Sequence, residues 1–125
     1  MTLRKPSILS IAILFVLGAT DAVAQKSKLI GTTWILRYTT GKANSPDYEE
    51  YARVTFQKGG KVLFDNGETG RWNLKGSRLT IQNDKQAATG LVNYVEATIK
   101  GKTGTGSAEL GMKSVRYWVR LIKQE

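Results

Sequence analysis

Apolar and polar residues alternate with period two along most of the chain beyond residue 25, and turns containing glycine interrupt the alternation about every eight to twelve residues. "ARVTF" turns Ala52, Val54 and Phe56 to one face and Arg53 and Thr55 to the other. "GRWNL" sets Gly70, Trp72 and Leu74 against Arg71 and Asn73, and "RLTI" puts Leu79 and Ile81 together. The pattern predicts strands over Lys28–Tyr38, Tyr51–Gln57, Lys61–Asp65, Thr69–Lys75, Arg78–Asn83, Leu91–Lys100, Thr103–Leu110 and Ser114–Ile122. Asn66-Gly67 predicts a type I′ hairpin turn, in which both central residues need positive φ. Gly59-Gly60, Gly76 and Gly101 supply the other tight turns. No stretch has helical period, and no internal repeat or second domain is visible.

Short strands joined in sequence make an antiparallel meander. Left open, so many strands would expose two unpaired edges, and closure removes them. The expected fold is therefore all-β, an antiparallel up-and-down barrel of about eight strands, with a β-sandwich of similar length as the alternative.

The start of the chain reads differently. Arg4 and Lys5 precede the apolar run "ILSIAILFVLGA", and "AVA" at Ala22–Ala24 places small residues two apart before Gln25. That is the layout of a cleavable secretory signal peptide over 1–24, leaving one domain over 25–125. The apolar run is too short for the ~20 residues that a membrane-spanning helix needs. No cysteine follows it to carry a lipid, and "NSP" at Asn44 is blocked as a glycan acceptor by Pro46. Export without disulfides or glycan sites points to a bacterial periplasmic or secreted protein with no membrane anchor after cleavage. With no cysteine anywhere, stability must come from burial and hydrogen bonding.

The order "LIGTTW", "VTFQKGGKVLFDNGETGRW", "LTI", "YVEATIKGKTGTGSAEL" and "YWVRL" resembles the small bacterial lipocalin-like (calycin-type) barrels. The resemblance implies a single barrel that often holds a small apolar molecule or a protein partner. It also implies a structural trio of Gly31, Trp34 and Arg120, in which the arginine lies over the indole beneath the barrel floor, with Arg116 as the rival arginine. The spacing here is Gly-x-x-Trp, one residue longer than the family's Gly-x-Trp, and the family's Asp-Tyr pair is absent.

Several chemistries are missing. Without His or Cys the chain lacks the usual transition-metal ligands, the thiol nucleophile and the commonest general base, so no metal, cofactor or catalytic residue is assigned. "GKTGTG" at Gly101–Gly106 falls at a hairpin rather than before the helix that a phosphate loop requires. Glu96 lies mid-strand, and its parity opposite Val95, Ala97 and Ile99 places it outside. A reversed parity would bury it beside Arg71, Arg116 or Arg120.

Charge sharpens the picture. Leaving out Arg4, Lys5 and Asp21, the 19 basic and 10 acidic residues become 17 and 9, a net charge of +8. In a meander barrel successive loops alternate between the ends. Lys26, Lys28, Lys58, Lys61, Lys75, Arg78, Lys100, Lys102 and Lys123 then gather at one end, the floor, against Glu125 alone. Asp47, Glu49, Glu50, Asp65, Glu68, Asp84 and Glu109 gather at the other end, the mouth, with Lys42, Lys85 and Lys113. All the longer loops fall at the mouth, which predicts an open mouth and a tight floor. Lys58, Lys61, Lys75, Arg78, Lys100 and Lys102 form a candidate footprint for an anionic envelope surface. None of the floor turns interleaves aromatics with the basic residues, so nucleic acid is not the expected partner.

The expected function is a non-enzymatic, exported binding module for a small apolar ligand or an anionic surface. Tyr48, Tyr51 and Trp72 are the candidate ligand-binding residues. An inhibitor of an exported protein partner is the alternative, and a glycosidase using Asp47 and Glu50 is a third reading. Barrels of about eight strands can hold one small ligand or be filled by their own side chains, and the sequence leaves both open. It leaves the oligomeric state open too.

Overall fold

The structure, a computed structural model, describes residues 26–85 and 90–125. The expected signal peptide over 1–24 lies outside them. Eight strands follow one another: β1 (Thr33–Thr39), β2 (Glu49–Gln57), β3 (Lys61–Phe64), β4 (Thr69–Lys75), β5 (Arg78–Asn83), β6 (Val92–Lys100), β7 (Thr103–Leu110) and β8 (Val115–Lys123). Each pairs antiparallel with its sequence neighbours, and β1 pairs with β8, so the sheet closes into an up-and-down barrel without edges. This is the architecture that the alternation predicts, and β4, β5 and β7 have the bounds read from the sequence.

The inner faces alternate as period two requires. Leu36, Val54, Phe56, Val62, Leu79, Ile81, Val92, Val95, Ala108 and Leu121 are wholly buried. One large aromatic comes from each of the first four strands: Trp34, Phe56, Phe64 and Trp72. Phe56 is the hub, edge-on to Trp72 at 5.3 Å and to Trp34 at 6.4 Å between ring centroids. The inward positions of β6 and β7 are small in compensation: Ala97, Gly104, Gly106 and Ala108. A Cβ on Gly104 would come within 2.7 Å of Ile99 Cδ1 and 3.3 Å of Leu121 Cβ, and one on Gly106 would run into the Glu96 carbonyl. Large side chains on one wall thus meet small ones on the other, and the barrel is filled rather than hollow.

Three local expectations are corrected. The first strand does not begin at Lys28. Lys26–Leu29 is a single helical turn, and Leu29 folds in to 4% exposure beneath the barrel. Leu29 and Ile30 are adjacent apolar residues, which a two-sided strand cannot bury together. Gly31, at φ 81°, redirects the chain and donates its amide to the Phe56 carbonyl at 2.7 Å. Second, β2 starts at Glu49, and its register against β1 shifts so that Tyr51 is the extra residue of a bulge. Third, the Asn66-Gly67 turn is not type I′. Only Gly67, at φ 90°, has positive φ. Its amide donates to the Phe64 carbonyl at 2.9 Å, and Asn66 Oδ1 accepts from the Glu68 amide at 3.0 Å. This is a turn closed by a left-handed glycine, stapled by the asparagine side chain.

Candidate functional site

The meander sets the ends of the barrel apart. The connections 58–60, 76–77 and 101–102, with the helical turn, make the floor; 40–48, 65–68, 84–85, 90–91 and 111–114 make the mouth. Lys58, Lys61, Lys75, Arg78, Lys100 and Lys102 all emerge exposed at the floor, with Lys26 and Lys28 on the helical turn. Two of these cations are compensated, Arg78 by Glu96 and Lys102 by Glu125. Glu96 is therefore on the outer face with an arginine partner, and that partner is Arg78. Among the described residues no carboxylate pairs with Lys26, Lys28, Lys58, Lys61, Lys75 or Lys100. Two register pairs even set like charges opposite each other, Lys61 with Arg71 and Lys75 with Arg78, an arrangement that costs stability. Clefts of about 180 and 230 Å³ flank the helical turn, the first lined by Leu29, Leu74 and Ile99 beside Lys28, the second by Ile30 and Trp72 beside Lys26. The floor is thus apolar at its centre and cationic at its rim.

The mouth leads into no lumen. At its level Ala52, Val92 and Leu110 are at most 3% exposed. Tyr51 packs edge-on to Tyr38, and Tyr38 edge-on to Tyr117, at 5.4 and 5.3 Å. The Tyr51 hydroxyl donates to the Leu91 carbonyl at 3.0 Å. The Glu49 carboxylate, followed by burial, raises the Tyr38 hydroxyl above its ordinary pKa; burial raises that of Tyr51. Beside this aromatic cap a polar clasp ties down Lys85 and residues 90–91. Glu68 Oε1 accepts from the Leu91 amide at 2.9 Å and from Asn83 Nδ2 at 3.0 Å, and Oε2 pairs with Lys85 Nζ at 3.0 Å. Asn83 Nδ2 also donates to the Val92 carbonyl at 2.7 Å. Asn93 accepts from the Gly90 amide at 2.8 Å and donates to the Gly111 carbonyl at 2.7 Å. Burial works to raise the Glu68 pKa, but the bonds from Leu91, Lys85, Asn83 and Asn66 outweigh it and hold the carboxyl at about 2. The sequence does not show the clasp, because its members come from the ends of β5 and β6 and from three connections and carry no periodic signal.

The predicted ligand trio is not brought together. Tyr51 is part of the mouth cap. Trp72 lies towards the floor, its Nε1 donating to the Gln57 carbonyl at 3.0 Å. Tyr48 sits on the outer wall, 8% exposed, its hydroxyl donating to the Ala43 carbonyl at 2.6 Å. The pairing of Arg120 with Trp34 is also corrected. Val119 and Leu121 point inward, so Arg120 must point out. Its guanidinium lies 4.0 Å above the Tyr48 ring, beside Arg37, whose Nη2 donates to the Tyr48 carbonyl at 2.8 Å. The residue opposite Trp34 in β8 is Lys123, and Trp34 Nε1 donates to Thr32 Oγ1 at 2.9 Å. Arg116 pairs with Glu109 at 3.0 Å. Strand parity alone would have chosen Lys123.

Asp47 and Glu50 are exposed, and Glu50 lies 3.7 Å from Arg53. "GKTGTG" forms the β6–β7 hairpin, with strand on both sides. Among the described residues no helix is long and apolar enough to cross a membrane, and no three His, Cys, Asp or Glu side chains group as metal ligands. No protein-family model, curated protein or solved structure matches the chain.

Proposed function

We infer that this chain is an exported, non-enzymatic, lipocalin-like binding module that docks by its floor onto an anionic lipid surface. One observation carries the reading: six exposed lysines without ion-pair partners among the described residues gather at one end, while seven of the nine acidic residues beyond residue 25 collect at the other. Near an anionic membrane each such lysine is worth ~1 kcal/mol, and the attraction acts within a Debye length of ~8 Å at physiological salt. The half-buried Ile30 and Ile99, in the clefts beside the helical turn, then face the interface once the rim has engaged. The leader pattern supports export, and the closed eight-stranded barrel supports the lipocalin-like reading. The filled interior weighs against a ligand held inside.

Co-sedimentation of the mature chain with phosphatidylglycerol vesicles tests this. Binding is expected to exceed that to phosphatidylcholine vesicles and to weaken steeply from about 0.05 M to about 0.5 M salt. The double variant Lys58→Ala, Lys75→Ala should weaken it roughly thirtyfold, while Lys42→Ala, Lys113→Ala at the mouth should leave it unchanged. Equal binding to both vesicle types, or binding that salt does not weaken, would overturn the reading.

A further inference from the structure

The outer wall carries a feature that docking at the floor does not use. On β8 the residues facing out near the mouth are Arg116 and Trp118, and Trp118 is 48% exposed. The register places Thr39 of β1 on one side of Trp118 and Ser107 of β7 on the other. The start of the 40–48 connection rises beside them, and together they enclose an open cleft of about 730 Å³. That lies within the range of small-molecule sites.

The polar groups of the cleft are fixed in advance. Arg116 Nη1 donates to Ser107 Oγ at 2.7 Å, and Nη2 to Glu109 Oε2 at 3.0 Å. Ser114 Oγ donates to the other Glu109 oxygen at 3.4 Å. The Thr39 hydroxyl accepts from the Gly41 amide at 3.1 Å and keeps its own proton to donate. A flat indole is thus bordered by a guanidinium and by hydroxyls that neighbouring groups already hold in place, with Glu109 behind the guanidinium.

We propose that this cleft binds a neutral saccharide, one sugar ring stacked on Trp118 and its hydroxyls bonded to Arg116, Ser107 and Thr39. A sugar ring has a face of C–H groups, which suits the indole, and an edge of vicinal hydroxyls. Each hydroxyl both donates and accepts, so a guanidinium and a hydroxyl side by side, as in the Arg116–Ser107 pair, suit two neighbouring ones. Other ligand classes fit less well. An acyl chain would cover the arginine and hydroxyls without bonding them, which costs free energy. A phosphate or uronate would meet an arginine whose charge Glu109 already neutralises. Arg120, two residues on, is turned away over Tyr48 and does not line the cleft.

Trp34 and Trp72 are buried, so a fluorescence response to ligand belongs to Trp118. The mature chain would be titrated with short cello-, malto- and chito-oligosaccharides, and with oligogalacturonate and oligothymidylate as charged counterparts. At least one neutral oligomer is expected to shift the emission to the blue and shield it from acrylamide. Trp118→Ala should abolish the response, and binding by that variant, followed by calorimetry, should weaken at least tenfold with the melting temperature kept. Arg116→Met, which cannot bond hydroxyls, should weaken it too. The proposal is overturned if no neutral oligomer binds, if only the charged ones bind, or if Trp118→Ala binds as well as the parent. Vesicle binding does not involve this face, so either proposal can fail alone.

Discussion

Replacing Phe56 with alanine is expected to lower the unfolding free energy by about 3–5 kcal/mol. The side chain is wholly buried and touches the rings of both Trp34 and Trp72. Its removal forfeits the transfer free energy of a phenyl ring and two edge-on contacts, each worth ~0.5–1.5 kcal/mol. It also leaves a void that a closed, hydrogen-bonded wall cannot collapse to fill. Domains of this size have only ~5–15 kcal/mol in all, so the variant should fold but unfold at clearly lower urea. Urea titration followed by far-ultraviolet circular dichroism measures the loss. The variant should also gain affinity for benzene, as dry engineered cavities do, and the parent should have none. A loss below about 1.5 kcal/mol, or benzene binding by the parent, would mean that the barrel is not filled at this level.

The second large effect is in the polar clasp. The Glu68 carboxyl has a folded pKa of about 2 against an ordinary value of 4.5, and its side chain is only 11% exposed. Because the folded value is the lower one, the ionised form stabilises the fold. That contribution is complete above about pH 4.5 and is lost as the pH falls towards 2. The gap corresponds to about 3 kcal/mol. Glu68→Gln should therefore cost about 2–3 kcal/mol at neutral pH, since it removes the charge opposite Lys85 and weakens the bonds from Leu91 and Asn83. The difference between parent and variant should shrink as the pH is lowered from 4.5 to 2. A constant difference across that window would show that the ionised carboxylate is not what holds Lys85 and Leu91.

The sequence was most legible where alternation ran between glycine turns. The bounds of Thr69–Lys75, Arg78–Asn83 and Thr103–Leu110 follow from the sequence because each begins at a tight glycine turn that leaves no room for a shift. Legibility failed where one residue breaks the period. The bulge at Tyr51 and the helical turn at Lys26–Leu29 both lie where apolar residues adjoin or a register slips, and neither leaves a periodic trace. Whether the barrel is hollow depends on which residues face each other across it. The small residues Ala97, Gly104, Gly106 and Ala108 could be matched to the four large aromatics only once closure was known. For the candidate sites the outcome is mixed. The separation of basic floor from acidic mouth followed from the meander alone. Arg120 and Tyr48 were placed by a family resemblance and by loop position, whereas the alternation Val119, Leu121, Lys123 already marked Arg120 as outward. The same alternation marks Trp118 as an aromatic on the outer wall. The Glu68–Asn83–Asn93 clasp needs three folded connections and was not readable from any one of them.

The central claim is that the floor, and not the mouth, faces the anionic surface. The chain has no cysteine, so a single one can be placed at either end: Ser77→Cys in the exposed β4–β5 turn, or Met112→Cys, which is 80% exposed in the native chain, in the β7–β8 turn. Each would carry an environment-sensitive fluorophore, and phosphatidylglycerol vesicles would be added at low salt. With the floor against the membrane, the label at residue 77 shifts to the blue and is protected from aqueous quencher, reversed by salt, while the label at residue 112 is unchanged. Equal responses at both ends, or a response at residue 112 alone, would contradict it.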